Sequence, residues 1–418
     1  MDSKQTLWAE VDENGRLTLP VEVAQQFGLT APGARARLDV GDNDVRLHRP
    51  VTHLAKIYLE PTNRCNIECR TCMRNNWDVQ MGQMSAETFT AVLNSLRRME
   101  KPPLVFFGGI GEPLAHPRTP QMIAQVKETG ATVEMISNGT LLSEKRARQL
   151  IEAGLDTLWV SIDGARPESY TDVRLGAELP NVLANLERFR RLRPPSHRPK
   201  PAIGIAFVAM KRNIADLPEV MAIGRRLRAS RFMVSNLLPH TAEMVDEILY
   251  EGTLNNITYL PSPWLRRVSI PKMDFNELTS GPLLAAMSSG YNVNFAGSNL
   301  GIANDVCTFI ESGALAIGWD GRIAPCPPLL YNHTGYLRGY ERASHAHILG
   351  NIKEHDLMTL WLDEEYVAYR ERVHRFAFAP CTSCGGCEDS HANDTDCFGS
   401  PAPACGSCLW AQAVIQCP

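Results

Sequence analysis

The stretch LEPTNRCNIECRTCMRN, residues 59–75, decides how this chain is read. Its Cys65, Cys69 and Cys72 stand in a CxxxCxxC spacing, which gives one iron-sulfur cluster three thiolates and leaves one iron without a protein ligand. An open iron can hold a substrate or a cofactor, whereas a cluster that only carries electrons normally has four cysteines. No fourth cysteine lies nearby, so the run points to chemistry at the metal. Two plainer readings stand beside it. A structural zinc site usually pairs CxxC or Cys/His sets into four ligands, and this run offers three. A disulfide framework calls for an oxidising compartment, but the chain opens MDSKQTLWAE, with no basic region, apolar region or cleavage site of a secretory signal. A reducing cytoplasm is therefore the expected location. There, twelve cysteines in 418 residues read as metal ligands rather than bridges.

Outward from the cysteines, residues 53–236 alternate short apolar runs with amphipathic ones, the pattern of repeated βα units around a parallel sheet. Strands are expected at Lys56 to Glu60, Leu104 to Phe107, Thr132 to Ser137, Thr157 to Ile162, Ile203 to Ala209 and Phe232 to Ser235. Helices fill the gaps, among them Ser85 to Met99, opened by a capping serine, and Ser143 to Ala153, closed by Gly154. Sites of parallel barrels gather at the carboxyl ends of the strands. The cysteine loop follows the first expected strand directly, which puts it on that face.

The cysteine spacing, taken with the motifs that end the next three strands, resembles the radical S-adenosylmethionine (radical SAM) superfamily. That resemblance implies an α/β fold with a partial (β/α)6 TIM barrel core. It also implies a 4Fe-4S cluster on Cys65, Cys69 and Cys72, the catalytic set, whose free iron chelates S-adenosyl-L-methionine (AdoMet) for reductive cleavage to a 5'-deoxyadenosyl radical. FFGGIGEP (106–113) after the second strand resembles the segment that holds the AdoMet amino group, through Gly108, Gly109, Gly111 and Glu112; the plain alternative is a Gly/Pro turn. ISNGT (136–140) resembles the ribose-contacting segment, with Ser137, Asn138 and Thr140. Ser161 and Arg174 fit the pair for the methionyl carboxylate, a group that a guanidinium can grip with two hydrogen bonds. Arg174 as a solvated helix charge, and Asp163-Gly164 as an ordinary turn pair, stay open. The chain departs from the family in carrying Thr71 where many members have an aromatic residue near the adenine; Trp77 is either its substitute or a packing residue.

The other nine cysteines, Cys307, Cys326, Cys381, Cys384, Cys387, Cys397, Cys405, Cys408 and Cys417, all lie in the last third. Cys307 to Cys326 fits C-x13-G-x4-C through Gly321, which resembles the opening of a SPASM domain and implies auxiliary 4Fe-4S clusters. The spacing in CTSCGGCEDSHANDTDCFGSPAPACGSCLWAQAVIQCP (381–418) departs from the common SPASM pattern. The count allows two four-cysteine clusters with one thiol over. By analogy Cys307 and Cys326 share one cluster with a later residue, and Cys381 and Cys384 anchor the other. Zinc ribbons compete, because CxxC pairs at 381/384 and 405/408 suit tetrahedral zinc. The histidines of this region, including His333 and His374, show no ligand spacing.

Residues 1–52 read as a small β domain with one short helix near VEVAQQFGL (21–29), broken by DENG, APG and GDND turns. The string VDENGRLTLPVEVAQQFGLTAPGARARLDV (11–40) resembles the AbrB/SpoVT swapped-hairpin family, many members of which bind DNA as dimers. Here the first 50 residues hold six Lys/Arg against eight Asp/Glu, the wrong sign for phosphate. Docking or homodimerisation is the expected role, with a mere β cap as the alternative. The formal net charge of −4 argues equally against a general nucleic-acid binder, and no apolar run reaches the roughly 18–20 residues that span a bilayer. Residues 237–303 lose the βα rhythm and read as an insertion lining a substrate cavity, helical over 241–254 and extended over 261–275. Met210, Met221 and Met233 read as core. Residues 304–418 form the SPASM-like domain.

The AbrB-like start, KIYLEPTNRCNIECRTCMRN (56–75), FGGIGEPLAHP (107–117) and DCFGSPAPACGSCLWAQAVIQCP (396–418) together resemble the tungsten cofactor oxidoreductase radical SAM maturases. That resemblance implies a tungsten-containing aldehyde oxidoreductase-type enzyme, or its pterin, as partner, and a reductant such as ferredoxin or flavodoxin. A small peptide substrate and a non-enzymatic zinc or cluster scaffold are the competing classes.

Overall fold

The computed structural model describes residues 9–30, 34–40, 45–75, 77, 79–251, 267–271, 273–274, 276–287, 292–295, 298–300, 307–379, 381–382, 387–412 and 414–417. Two hairpins open the chain: β1 (Glu10–Val11) with β2 (Leu17–Thr18), then, after helix α1 (Val21–Gln26), β3 (Leu38–Val40) with β4 (Val45–Leu47). The βα region follows as β5 (Lys56–Leu59), α2 (Ala86–Arg97), β6 (Leu104–Phe107), α3 (Thr119–Lys127), β7 (Val133–Ser137), α4 (Glu144–Glu152), β8 (Thr157–Ser161), α5 (Pro167–Val173), α6 (Leu179–Leu192), β9 (Ala202–Ala209), α7 (Leu217–Arg226) and β10 (Arg231–Asn236). All six expected strands form, and each pairs in parallel with its sequence neighbour. The helix starts follow from capping: Ser85 accepts from the Thr88 amide at 3.1 Å and Ser143 from the Arg146 amide at 3.3 Å, each satisfying a donor the first turn leaves unpaired.

Side chains alternate across each strand, and the two faces build two cores. Ile57, Leu59, Val105, Phe107, Val133 and Met135 pack beneath the helices, while Tyr58, Phe106 and Trp159 point to the barrel interior. That interior is filled from the end of the chain, by Tyr331, Leu409 and Trp410.

Past residue 236 a 3-10 helix covers Ala242–Glu247, where the sequence suggested a longer helix. The carbonyl of Glu247 accepts from Lys211 and its carboxylate binds Arg212, so these groups serve a tertiary contact. Strands β11 (Arg267–Ile270), β12 (Asn292–Phe295) and β13 (Ser298–Leu300) form a small sheet, with α8 (Ser280–Met287) between β11 and β12 in chain order; residues 252–266 lie outside the described set. Of the three methionines read as core, Met210 is buried but Met221 is 41% exposed, because α7 turns Val220 and Ile223 inward instead.

The last third runs α9 (Thr308–Glu311), β14 (Ala314–Ile317), β15 (Arg322–Ala324), β16 (His333–Leu337), β17 (Tyr340–Ser344), β18 (Gly350–Asn351), α10 (Leu357–Trp361) and α11 (Glu364–His374). Strand β14 pairs in parallel with β5, and β15 and β18 continue antiparallel, giving a nine-stranded sheet in the order β10-β9-β8-β7-β6-β5-β14-β15-β18. This junction sets the auxiliary cysteines beside the barrel. Among the described residues no helix is long and apolar enough to cross a membrane.

Candidate active site

The segment after β5 is tied down before it reaches the cysteines. Asn63 donates to the Gln80 carbonyl at 2.8 Å and accepts from the Gly82 amide at 2.7 Å, while Thr62 donates to the Gly82 carbonyl at 2.6 Å. Farther on, the Glu68 and Arg70 amides donate to the Leu175 and Val173 carbonyls, both at 2.9 Å. The loop bearing Cys65, Cys69 and Cys72 is thus clamped at its base and zipped to the end of α5.

Two nitrogen donors face its sulfurs. Asn138 Nδ2 lies 3.7 Å from Cys65 Sγ, and an Arg174 guanidinium nitrogen lies 3.7 Å from Cys69 Sγ. Arg174 is itself held by Asp163 through contacts at 2.5 and 2.7 Å, and the other oxygen of the fully buried Asp163 accepts from the Val208 amide at 2.8 Å. Burial pushes the Cys65 and Cys69 thiols up, and Arg174 opposes the shift at Cys69. Buried thiolates of this kind need cationic partners. Three sulfurs on one loop, with donors aimed at two of them, fit an iron-sulfur cluster, and would hold it through Cys65, Cys69 and Cys72.

The glycine-rich segment packs directly behind that loop. A Cβ built on Gly111 would sit 2.3 Å from the Thr62 carbonyl oxygen, so that position requires glycine for backbone approach, and one on Gly109 would meet the Glu60 side chain, 2.2 Å from its Oε1. Gly108 is packed against Phe106 and Ile136. Glu112 is buried with its carboxylate turned inward, accepting from Leu114 N at 3.0 Å, Ser137 Oγ at 2.9 Å and Asn138 N at 2.7 Å. Burial raises its pKa against these three donors. It orients the strand end that carries Ser137 and Asn138. Asn66 and Asn138 complete the link, with Asn138 Nδ2 donating to Asn66 at 3.1 Å and Asn66 Nδ2 to Thr140 at 2.8 Å. Ser161 ends β8, buried on the same rim. Trp77 is buried too, stacked on His333 at 4.5 Å; it packs into the seam with the last third of the chain.

Sequence reasoning missed a residue at that seam. Glu60 follows β5, accepts from the Ile110 amide at 2.9 Å and takes a short hydrogen bond from the Tyr331 hydroxyl. Burial raises its pKa to about 7, with Tyr331 opposing. Only its place next to the cysteine loop could have marked it.

Four of the remaining cysteines, Cys307, Cys326, Cys405 and Cys408, line one cavity of about 820 Å³ counting its mouth. Burial pushes the Cys307 thiol up to about 12, with Cys408 adding to the rise, and Cys326 and Cys405 move the same way. Cys381 forms a second group: burial pushes it up to about 11, with Cys397 and Cys387 among the charges acting on it. Cys384 lies outside the described residues. Cys417 is half-buried and lies apart, near Trp410 and Lys56. Among the described residues every cysteine is unbridged.

A three-cysteine loop at the carboxyl end of a parallel half-barrel, with a separate cysteine-lined cavity in the last third of the chain, is the arrangement of an AdoMet-dependent iron-sulfur enzyme class. The family description "Radical SAM superfamily" matches residues 59–220, and "Iron-sulfur cluster-binding domain", SPASM, matches residues 307–388. A tungsten-containing aldehyde ferredoxin oxidoreductase cofactor-modifying protein from Pyrococcus furiosus is 31% identical over 366 residues, 87% of this chain and 96% of that protein. The chain belongs to the radical SAM superfamily, in the SPASM-bearing family that contains this relative. Its fold resembles that of Streptococcus suis SuiB bound to the precursor peptide SuiA (TM-score 0.52, 15% identity, covering 80% of this chain and 70% of that one). It also resembles anSMEcpe with bound AdoMet (TM-score 0.50, 16% identity, covering 86% and 96%).

Proposed function

We propose that this radical SAM enzyme matures a tungsten-containing aldehyde:ferredoxin oxidoreductase-type enzyme, acting on its pterin cofactor or on the partner chain, in a reducing cytoplasm and with a ferredoxin- or flavodoxin-type reductant. The observation that carries this is the near end-to-end similarity to the Pyrococcus furiosus cofactor-modifying protein. When bound, the reduced cluster supplies the electron that cleaves AdoMet to methionine and the 5'-deoxyadenosyl radical. The residues around it do the positioning. Arg174, fixed by Asp163, directs positive charge to the rim where a carboxylate would dock; Asn138 and Thr140, set by Glu112 and Asn66, offer amide and hydroxyl groups to a ribose. The apolar seam of Trp77, His333 and Tyr331 excludes water from one side.

The cavity supports assigning one auxiliary cluster to Cys307, Cys326, Cys405 and Cys408, and the group of Cys381, Cys387 and Cys397 supports the other, with Cys384 added to it from the sequence alone and Cys417 left over. The amino-terminal hairpins support a docking or homodimer role, since Val11, Leu17, Val21, Leu38, Val40 and Val45 are each 57–78% exposed, an apolar surface of the kind that seeks a partner.

The test is anaerobic 5'-deoxyadenosine formation with the tungsten-pterin enzyme present, and deuterium tracing from substrate into the product. Stimulation by that enzyme or its cofactor is the expected result. A second reading, modification of a small peptide, draws on SuiB's crystal structure with a precursor peptide; stimulation by a peptide but not by the oxidoreductase would replace the first reading with it.

A further inference from the structure

Away from the cysteines, three side chains from three separate stretches meet where the amino-terminal hairpin docks on the last third of the chain. His48 directly follows β4, Glu311 ends α9 and His374 ends α11. His48 Nδ1 lies 2.8 Å from Glu311 Oε1, His374 Nε2 lies 2.8 Å from Glu311 Oε2, and the three ligand atoms all fall within 4.8 Å of one another. The imidazoles meet edge to face, with centroids 5.0 Å apart. His48 is 2% exposed, and the side chains of His374 and Glu311 are 8% and 24% exposed.

The hydrogen bonding of His48 leaves a question that a cation answers. Its Nε2 faces Asp39 Oδ2 at 2.7 Å. A neutral imidazole carries a single N–H, and once that proton is given to Asp39, the Nδ1 lone pair is aimed at a carboxylate oxygen. Lone pair against lone pair at 2.8 Å is repulsive unless the two atoms share a positive centre, a proton on the line between them or a metal ion to one side of it. That centre is either a proton, which makes His48 an imidazolium, or a metal ion. Several features favour the metal. Two imidazole nitrogens and one carboxylate are a ligand set that zinc takes with one position open. A carboxylate on the far nitrogen of a ligand histidine is the usual orienting partner at such centres, and Asp39 is itself fixed by Arg37 at 2.6 and 2.8 Å. Arg46 reaches Glu311 only at 3.5 Å and is largely exposed, so it leaves the inner position free.

We propose that His48 Nδ1, the Glu311 carboxylate and His374 Nε2 bind one divalent transition-metal ion of zinc type, oriented by Asp39, which fastens the amino-terminal hairpin to the auxiliary-cluster region. The site shares no ligand with the AdoMet loop or the cysteine groups and stands independently of the function proposed above.

Zinc is the probe. The anaerobically purified holoenzyme, treated with chelator and then titrated with Zn²⁺, should bind one equivalent in a first shell of nitrogen and oxygen at about 2.0–2.1 Å by zinc-edge X-ray absorption. His374→Ala should weaken that binding at least about tenfold with the iron content unchanged, and Asp39→Asn about tenfold through loss of the orienting carboxylate. Should His374→Ala lose iron as well, Glu311→Gln, which conserves shape, must show the same loss of zinc with iron retained. A sulfur first shell near 2.3 Å, no zinc retained by the wild type, or wild-type affinity in Glu311→Gln overturns the site and leaves a protonated His48 between two carboxylates.

Discussion

The two cysteine regions solve the same problem in opposite ways. At the AdoMet loop the ligands lie within eight residues of one another, and the fold supplies the surroundings: a clamp at Asn63, a backbone zipper to α5, and donors from Asn138 and Arg174 aimed at the sulfurs. In the auxiliary cavity the fold supplies the ligands themselves, since Cys307 and Cys408 stand about a hundred residues apart and share a cavity with Cys326 and Cys405 beside the β5–β14 junction. A short ligand run, as proposed for Cys65, Cys69 and Cys72, would leave a coordination corner open at the carboxyl face of the strands. A dispersed set, as proposed for the cavity, would close around its metal, as suits a centre that stores or passes electrons.

The sharpest break of this contrast removes one ligand from each side. Cys69→Ala should abolish 5'-deoxyadenosine formation while removing about four irons per chain and leaving the secondary structure in place; a variant that cleaves AdoMet at the wild-type rate sinks the assignment of the open iron. Cys326→Ala should remove a similar share of iron, yet keep measurable AdoMet cleavage in the absence of partner, because none of the described residues lining its cavity belongs to the Cys65–Cys72 loop. If cleavage vanishes in both variants while circular dichroism stays native, the two regions do not divide the work as drawn here.

The same contrast explains what the sequence disclosed. The six barrel strands were legible because each is a short apolar run ended by a glycine-bearing motif, and because parallel pairing between neighbours needs no long-range information. Cys65, Cys69 and Cys72 could be read as one candidate set because they lie on a single short loop. The pairing of Cys405 and Cys408 with Cys307 and Cys326 was not, since it depends on β14 joining the barrel at β5, a contact across about 260 residues that no periodicity encodes. His48, Glu311 and His374 were illegible for the same reason. Local rules misled in two places: Met221 fits a core stripe by type yet faces solvent, and 241–254 has helical composition but gives Glu247 to Lys211 and Arg212. In each case a tertiary contact outweighs a weak local preference.

Arg174 sharpens the comparison on the loop side. Arg174→Gln leaves the buried Asp163 carboxylate without its partner, and breaking a buried pair in that way costs about 3–5 kcal/mol. Denaturant melts should show that loss, together with a raised KM for AdoMet. Asp163→Asn with Arg174→Gln should recover most of the stability but not the KM, since a neutral pair removes the unpaired charge and restores no grip on a carboxylate. Recovery of both would reduce Arg174 to a purely structural residue.

Glu60 joins the two regions, with one oxygen on the glycine loop at Ile110 and the other on Tyr331 from the last third. Its burial raises the folded-state pKa to about 7, from an ordinary 4.5. The sign follows: the folded chain holds the proton more tightly than the unfolded one, so the stabilisation is complete below about pH 4.5 and is lost as pH rises through 7. At 1.36 kcal/mol per unit, the loss by pH 8 is on the order of 3 kcal/mol. A protonated Glu60 accepts from the Ile110 and Trp319 amides and donates to the Tyr331 oxygen; glutamine keeps an acceptor for the amides and a donor toward Tyr331 without a titrating proton. Glu60→Gln should therefore match the wild type near pH 5 and exceed it near pH 8, and the wild-type-minus-variant stability should trace one titration between those limits. Identical pH profiles for the two proteins would mean that Glu60 is ionised throughout. The seam between the AdoMet loop and the auxiliary region would then be held by a charged hydrogen bond to Tyr331 rather than by a shared proton.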